Sequence, residues 1–399
     1  MGMTYREALE WLFARRRQGE RGTGRVREVL RRLGHPEDAF PAVHVLGTNG
    51  KGSVVAYLEA AFRAAGLPFG AYTSPHLLDF RERIRTHLGL IPEERVVAFA
   101  AWAMGEAWPE PPGFFDLATA LAFLHFRERG VALAAVEAGV GGEKDATNAL
   151  SRVALTVLTH VGEDHLEALG GSLEAVARDK AGAFRPGVPV VTGARGVGLE
   201  VAARLARERG APLYLLDPED PLFALPAPPG LRGAFQEENA RLAAAALRLL
   251  GFPEGVIAQG LREARNPGRL ERFLLGRVEV YLDGAHNPPA AQALAREFAG
   301  YHLVFGAFPR KDVAGMLAHL LPKAASVRFA QAGQGALGRE LGEPFFPDPW
   351  EALLDAAGKA LEDGLPVLAT GSLYLVGALR GRLAPFTPGL PPGSSPQDR

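Results

Sequence analysis

A lysine and a serine stand in a glycine-rich stretch near the start of the chain. The stretch Ala42 to Phe62, AVHVLGTNGKGSVVAYLEAAF, predicts a short apolar strand, a glycine-broken turn and an amphipathic helix. Such a turn offers backbone N–H groups and a positive helix end to a phosphate. Lys51 would bridge the terminal phosphates of a nucleotide, and Ser53 would reach Mg²⁺. The predicted nucleotide-binding loop comprises Gly47, Thr48, Asn49, Gly50, Lys51, Gly52 and Ser53.

The loop differs from the usual form of this motif. Roughly four residues normally separate the first glycine from the Gly-Lys pair. Here only Thr48 and Asn49 lie between Gly47 and Gly50, so the spacing is shorter. An incidental lysine in a glycine turn is the alternative interpretation. The predicted strand before the turn and the helix after it favour phosphate binding.

Composition narrows the class of protein. A chain of 399 residues is long enough for two domains, and 47% hydrophobic with 22% charged residues is typical of globular proteins. The net charge of −1 gives no reason to expect a nucleic acid or a membrane surface as partner. The absence of cysteine excludes disulfides and thiol catalysis, and we expect a cytoplasmic protein. The charged, amphipathic start of the chain does not resemble a secretory signal.

Strand and helix patterns alternate along most of the chain, which predicts βαβ units. The predicted strands of the first part are Val43–Leu46, Pro68–Tyr72, Ala132–Glu137, Leu155–Thr159, Val188–Val191 and Leu213–Leu216; the helices are Ser53–Ala65, Asp116–Arg129, Ser172–Phe184, Leu199–Arg209, Glu237–Leu250 and a short one through Arg262–Ala264. Proline and glycine in NPGRLERF, Asn266 to Phe273, interrupt the pattern before a second alternation begins.

The predicted fold class is therefore α/β, with a P-loop-containing, mostly parallel sheet domain followed by a smaller Rossmann-like α/β domain. We place the first domain at residues 1–270 and the second at 271–385. Residues 386–399 are rich in proline and glycine and have no core-forming pattern, so we expect a mobile tail.

Three polar residues follow predicted strands or lie on a nearby helix. Glu137 ends a buried strand, where an open α/β sheet presents ligands, and with Ser53 it would suit Mg²⁺. Taken alone, His165 is better interpreted as a loop histidine and Lys180 as a surface lysine on a helix. Chemistry alone leaves these two open.

The chain resembles the folylpolyglutamate synthase and dihydrofolate synthase family of Mur-ligase-like ATP-dependent amide ligases. The Lys-Gly-Ser form of the loop is similar to that of the folate branch. Further matching stretches follow in the family's order: TSPHLLDFRERI (73–84), VEAGVGGEKDATNAL (136–150), GEDHLEALG (162–170), RDKAGAFRPGVPVVTG (178–193), NPGRLERF (266–273), DGAHNP (283–288) and GSLYLVG (371–377). The resemblance covers about residues 44 to 377.

The resemblance implies that a carboxylate is joined to the amine of L-glutamate at the expense of ATP, through an acyl phosphate. The acceptor would be a folate, and dihydropteroate as well, since Asp145 resembles a residue that bacterial members use toward dihydropteroate. Such chemistry needs cations beside the triphosphate and a site that excludes water.

The resemblance also implies roles for individual residues. Two Mg²⁺ ions would be held by Ser53, Glu137, His165 and a carbamylated Lys180, which would explain why arginine does not stand at position 180. The nucleotide would contact Asn239, Arg269 and Asp283 besides the loop. Catalytic roles would fall to Lys51, Lys180, Asp283 and His286, and the acceptor would contact Ser74, His76, Phe115 and Asp145. The sequence departs from the family pattern at Asp116, at Glu143-Lys144 and at Asp179.

Three other functions are alternatives to this one. A Mur-type ligase acting on a peptidoglycan precursor is disfavoured because only 46 residues precede Gly47, too few for a nucleotide-sugar domain. A non-catalytic ATP-binding regulator would not need Glu137, His165 and Lys180 to lie near the loop. A P-loop kinase would give no reason for the second domain. We expect a monomer, because members of the family usually are.

Overall fold

The computed structural model describes residues 2–163 and 165–386. The predicted mobile tail lies outside the described residues except for Phe386. The described chain divides into two compact units. The first consists of residues 2–76, 80–230 and 236–265, and the second of residues 77–79, 231–235 and 266–386. The domain boundary predicted near residue 270 remains a prediction.

The first unit alternates helices and strands. Its helices and strands are, in chain order, α1 (Tyr5–Phe13), α2 (Gly24–Arg32), β1 (Ala42–Leu46), α3 (Lys51–Ala64), β2 (Phe69–Tyr72), β3 (Ile84–Thr86), β4 (Gly89–Leu90), α4 (Glu93–Gly105), α5 (Phe114–Glu128), β5 (Leu133–Glu137), β6 (Val153–Leu158), α6 (Leu173–Ala181), β7 (Val190–Thr192), α7 (Gly196–Arg209), β8 (Leu213–Leu215), α8 (Phe235–Leu249) and α9 (Glu254–Glu263).

The described strands of this unit form an eight-stranded sheet in the order β4-β3-β2-β5-β1-β6-β7-β8. The strands from β2 to β8 in this order run parallel, and β3 and β4 join antiparallel at one edge. The central strand β1 is buried along its whole length, as its apolar sequence AVHVL requires. Because parallel strands end at the same edge, the loop after β1 lies beside the ends of β5 and β6.

Helices of this unit bury their apolar faces against the sheet and each other. One cluster joins α1, α2, α4 and α5, where the ring of Phe40 meets Phe123 and Phe126 edge-on with centroids 5.6 and 5.4 Å away. Burying one such ring contributes about 2–3 kcal/mol. The helix α5 begins where the Asp116 carboxylate accepts a hydrogen bond from Gly113 N at 2.8 Å.

The helix α9 differs from the helix that the sequence pattern predicts. The sequence predicts only a short helix near residues 262–264, whereas the helix runs from Glu254 to Glu263. Glycines lower helix propensity, which hid this element. In the structure a Cβ on Gly260 would lie 2.7 Å from the backbone of Ala61, so the glycine lets α9 pack closely on α3.

The second unit has its own sheet and core. Its elements are β9 (Glu271–Leu275), β10 (Val278–Asp283), α10 (Pro288–Arg296), β11 (Tyr301–Phe305), α11 (Val313–Leu320), β12 (Ala324–Ala330), β13 (Phe345–Phe346), α12 (Pro349–Asp363), β14 (Val367–Thr370) and α13 (Leu373–Leu383). The described strands form a six-stranded sheet in the order β13-β12-β11-β14-β10-β9, in which β9 alone runs antiparallel to its neighbour. Both units are thus α/β with mostly parallel sheets, as the sequence predicts.

Candidate active site

The glycine-rich loop joins β1 to α3, and two of its glycines are required by geometry. Gly47 has φ 138° and Gly50 has φ 87°, both in the region that favours glycine. A Cβ on Gly47 would lie 1.8 Å from Thr159 Oγ1, and one on Gly50 would lie 2.4 Å from Asn239 Oδ1. The loop therefore keeps its shape only with glycine at both positions.

The loop is fastened to the segment that follows β6. Thr159 Oγ1 donates to the carbonyl of Asn49 at 2.6 Å, and the amide of Thr48 donates to the carbonyl of His160 at 3.0 Å. Thr48 Oγ1 also accepts from the amide of Gly162 at 2.8 Å. The helix α3 begins at Lys51 directly after the turn, so its first N–H groups and its positive dipole end point toward the loop.

Two lysine side chains meet on one carbonyl of the loop. Lys51 Nζ donates to the carbonyl of Gly47 at 2.9 Å, and Lys180 Nζ donates to the same oxygen at 3.2 Å. Lys180 lies on α6 and is only 3% exposed. Burial lowers the pKa of the neighbouring His160, and the positive charges of Lys180 and Lys51 add to this effect. Two lysine side chains therefore lie at one point of the loop.

Behind the loop, polar side chains of α8 contact the serine that sequence analysis singled out. Gln236 Nε2 donates to Ser53 Oγ at 3.0 Å, and Asn239 Nδ2 donates to Gln236 Oε1 at 3.1 Å. All three residues are buried. The family resemblance implies that Asn239 lies beside the nucleotide, and in the structure its side chain lies against Gly50 of the loop. The link from Gln236 to Ser53 joins positions 183 residues apart, and no local pattern signals it.

Glu137 lies beside the strand that leads into the loop. It ends β5, and its register partner on β1 is Val45. The backbone amide of Ser74 donates to Glu137 Oε2 at 3.4 Å, which brings the segment after β2 to the same carboxylate. Glu137 is 6% exposed, so a buried carboxyl group lies at the carboxyl ends of the strands, where the phosphate loop begins.

His165 lies in a turn after β6. Its ring is exposed, its φ of 51° is in the left-handed region, and its carbonyl accepts from Leu169 N at 3.0 Å. Within residues 2–163 and 165–386, no three histidine, aspartate or glutamate side chains form a group that could hold a metal ion. Ser53 at the start of α3 and Glu137 at the end of β5 present oxygens, a donor type that Mg²⁺ prefers. Lys180 could join such a set only after conversion to an anion.

Aromatic rings line the side of the site around β2 and α5. Phe115 stacks on Tyr72 with centroids 5.9 Å apart and planes at 21°, and it lies against Gly139, whose Cβ would meet the ring at 2.7 Å. His76 Nδ1 accepts from Arg83 Nε at 2.8 Å. The imidazole of His76 is therefore held in one orientation by a buried guanidinium.

Asp145 is buried and its carboxylate organises the neighbouring turn. Oδ1 accepts from the amides of Gly139 and Val140 at 3.1 and 2.9 Å, and Oδ2 accepts from the amide of Thr147 at 3.1 Å. The next carboxylate along, Asp179, accepts from Gly142 N at 3.0 Å. Two buried carboxylates thus hold the glycine-rich turn 139–142 in place. The sequence did not indicate this role for Asp179.

In the second unit, Asp283 lies at the end of β10. Its carboxylate accepts from the amides of Leu270 and Ala285, both at 2.8 Å. Burial raises the pKa of Asp283, and the charge of Arg269 opposes this rise. His286 Nδ1 lies 2.9 Å from the carbonyl of Gly284. The structure therefore brings together Arg269, Asp283 and His286 within this unit.

No helix in the described part of the chain is long and apolar enough to cross a bilayer. Comparison with known proteins gives consistent matches over nearly the whole chain. The dihydrofolate synthase/folylpolyglutamate synthase of Bacillus subtilis strain 168 is 32% identical over 432 aligned residues, covering 96% of this chain and all of the relative. No family model matches the chain.

Solved structures agree. A bifunctional folylpolyglutamate synthase/dihydrofolate synthase from Yersinia pestis, complexed with AMPPNP and Mn ion, superimposes with a TM-score of 0.82 at 29% identity, covering 96% of this chain and 98% of that one. A folylpolyglutamate synthase complex with AMPPCP and folate gives the same TM-score and identity, covering 96% and 100%. With this coverage and identity, and with the loop geometry described above, the chain belongs to the folylpolyglutamate synthase/dihydrofolate synthase family.

Proposed function

We propose that this protein is an ATP-dependent ligase that adds L-glutamate to folates, and to dihydropteroate as well. The observation that carries the proposal is the meeting of Lys51 and Lys180 on the Gly47 carbonyl, beside the buried Glu137. Cationic and anionic groups at one phosphate-binding loop suit the transfer of a terminal phosphate to a carboxylate. A relative and two solved structures with folate-ligase names support the choice of substrate class.

The reaction has two steps. The acceptor carboxylate oxygen attacks the γ-phosphorus of ATP, the bond to the β,γ-bridging oxygen breaks, and ADP leaves. The amine of glutamate then attacks the acyl carbon, the bond from carbon to the phosphate oxygen breaks, and the amine loses a proton as the amide forms. In the first step, the loop amides and Lys51 bind and orient the triphosphate and neutralise charge that develops on it.

A divalent metal is part of this proposal, and the buried oxygens fit it. Ser53 and Glu137 would hold one Mg²⁺, and His165 and the modified Lys180 would contribute, together with Glu137, to a second. Magnesium supplies charge neutralisation at the phosphates. Gln236 orients Ser53 through its 3.0 Å hydrogen bond, whatever occupies the other side of the serine.

Lys180 fits the site in a modified form. An ammonium would repel a neighbouring cation, whereas a carbamate presents oxygens to it. The ammonium first loses a proton; the resulting amine attacks CO₂, an N–C bond forms as one C=O π bond opens onto an oxygen, and a second proton leaves the nitrogen. The side chain thereby changes from a cation to an anion.

The remaining predicted residues complete the proposal. Asn239, Arg269 and Asp283 would bind the nucleotide, and His286 would act at the phosphoryl group. Ser74, His76, Phe115 and Asp145 would contact the acceptor, with the Phe115 ring against the flat pterin. We expect a cytoplasmic monomer that has neither nucleic acid nor membrane among its partners.

The test is incorporation of labelled glutamate with ATP and Mg²⁺, using dihydropteroate and tetrahydrofolate as separate acceptors. Incorporation with both is the expected result. Incorporation with tetrahydrofolate alone would remove the dihydrofolate synthase part, and incorporation with neither would refute the assignment. An inactive Lys51→Ala variant is the control that any incorporation depends on the loop.

A further inference from the structure

A buried chain of hydrogen bonds begins in the middle of β1. His44 lies at the centre of this strand with no solvent exposure, and its Nε2 is 2.8 Å from Thr147 Oγ1. The Thr147 hydroxyl donates in turn to Asp145 Oδ2. Thr147 is fully buried and Asp145 is 4% exposed. These hydrogen bonds therefore connect the strand that leads into the phosphate loop with the carboxylate that is proposed to face the acceptor.

The donor and the acceptor of each hydrogen bond between His44, Thr147 and Asp145 follow from the number of protons that these groups carry. Burial lowers the pKa of His44 to about 3, and the charge of Arg185 adds to this, so the ring is neutral and has one N–H. The Thr147 hydroxyl uses its only proton toward Asp145, so it can only accept from His44. The ring proton is therefore on Nε2. Consistently, Nδ1 of His44 has no hydrogen-bond partner in the part of the chain that the structure describes.

The hydrogen bonds end at the Asp145 carboxylate, which holds the backbone of the turn that begins at Gly139. Asp145 receives two hydrogen bonds from Thr147, through its amide and its hydroxyl, and two from the amides of Gly139 and Val140. The last two residues follow Glu137 almost directly. A carboxylate that is this deeply buried is costly unless its oxygens are satisfied, so losing one donor would let it turn and move the glycine turn with it.

We propose that His44 and Thr147 are positioning residues that orient the Asp145 carboxylate and the turn at Gly139 for the pterin-bearing acceptor. The inference rests on the proposed function, because it takes the acceptor to lie on this side of the site. It assigns specificity for the acceptor to two residues that contact neither substrate nor nucleotide. His44 acts on Asp145 through the hydroxyl group of Thr147.

The first experiment compares Thr147→Val, which keeps the shape and removes the hydroxyl, with Thr147→Ser, which keeps the hydroxyl. Steady-state glutamate incorporation is measured against tetrahydrofolate and against ATP. Losing one hydrogen bond of about 1.4 kcal/mol should raise KM for tetrahydrofolate about tenfold in Thr147→Val. KM for ATP should change less than about twofold, and Thr147→Ser should stay within about threefold of wild type in both.

A second pair tests the histidine independently. The amide nitrogen of Gln reaches the position of Nε2, so His44→Gln should retain a low KM for tetrahydrofolate, whereas His44→Leu should raise it like Thr147→Val. Thr156→Val is the matched control: Thr156 is a register partner of His44 on β6, is fully buried, and has an Oγ1 without a partner among the described residues. We expect no kinetic change in this variant.

The outcomes separate the two proposals. An inactive wild type overturns the proposed function. An active wild type with unchanged KM for tetrahydrofolate in Thr147→Val overturns the positioning role, as does an equal rise of KM for tetrahydrofolate and ATP. If thermal unfolding shows that Thr147→Val does not fold, the His44 pair decides: equal kinetics in His44→Gln and His44→Leu refute the inference.

Discussion

The side-chain nitrogen of Lys180 and the carbonyl oxygen of Gly47 lie 3.2 Å apart, although 133 residues separate them in the chain. The same oxygen accepts from Lys51 at 2.9 Å. A lysine from α6 therefore contacts the same carbonyl of the phosphate loop as the loop's own lysine. A change of charge at position 180 must therefore alter how the loop binds a triphosphate.

Lys180→Ala is expected to lower glutamate incorporation by about 100-fold or more, because an oxygen ligand for the metal is lost. Added short carboxylates should restore part of the activity by entering the space that the side chain leaves. Lys144→Ala is the matched control, since Lys144 is exposed, and it should stay near wild type. Full activity in Lys180→Ala would contradict the carbamate proposal.

Glu137→Gln is expected to raise the Mg²⁺ concentration needed for half-maximal activity about tenfold or more, since an amide is a poorer ligand than a carboxylate. KM for the folate acceptor should change much less. The measurement is a Mg²⁺ titration at saturating ATP. Glu143→Gln removes an exposed carboxylate nearby and serves as control. An unchanged Mg²⁺ dependence would count against Glu137 as a ligand.

Gly50→Ala is expected to abolish ATP binding and to lower the free energy of unfolding by about 2 kcal/mol or more, from backbone strain and a clash together. The added Cβ would lie 2.4 Å from Asn239 Oδ1. Gly66→Ala is the control, because Gly66 has φ 68° but open space around its Cβ position. Strain alone should cost that variant about 1 kcal/mol. Nucleotide titration and denaturant unfolding check both, and equal losses would show that the clash contributes nothing.

The stability of the protein should fall as the pH drops from about 6.5 toward 4. Burial lowers the pKa of His125 to about 4, and the charges of Arg129 and Arg95 contribute. The unfolded chain, with a histidine pKa of about 6.5, binds a proton in this range that the folded chain does not. This group therefore gives its full stabilisation above about pH 6.5, and the free energy of unfolding loses up to about 1.4 kcal/mol per pH unit below it.

Denaturant unfolding between pH 7.5 and 4.5 checks the slope. In His125→Leu the slope should decrease by up to about 1.4 kcal/mol per pH unit. His35→Asn is the control, since His35 is 53% exposed and has a left-handed backbone that asparagine tolerates. A slope in His125→Leu equal to that of the wild type would show that this histidine does not titrate as described.

Much of the fold could be predicted because it depends on local pattern. The strand predicted at Val43–Leu46 is observed at Ala42–Leu46, and the helix predicted at Leu199–Arg209 is observed at Gly196–Arg209. The helix α9 was largely missed because its glycines lower helix propensity, and only the packing of Gly260 on Ala61 explains them. Propensity reports on the isolated segment, whereas packing depends on a partner far away in the chain.

For the candidate site, too, some features follow from the sequence and others only from tertiary packing. The sequence by itself determined the glycines, the lysine and the serine of the loop, and the position of Glu137 at the carboxyl end of a buried strand. Only the tertiary structure decided that Lys180 reaches Gly47, that Gln236 holds Ser53, and that His44 acts on Asp145 through Thr147. The physical reason is that hydrogen bonds form over about 3 Å, a distance set by how separate helices and strands pack, which the periodicity of one element does not encode.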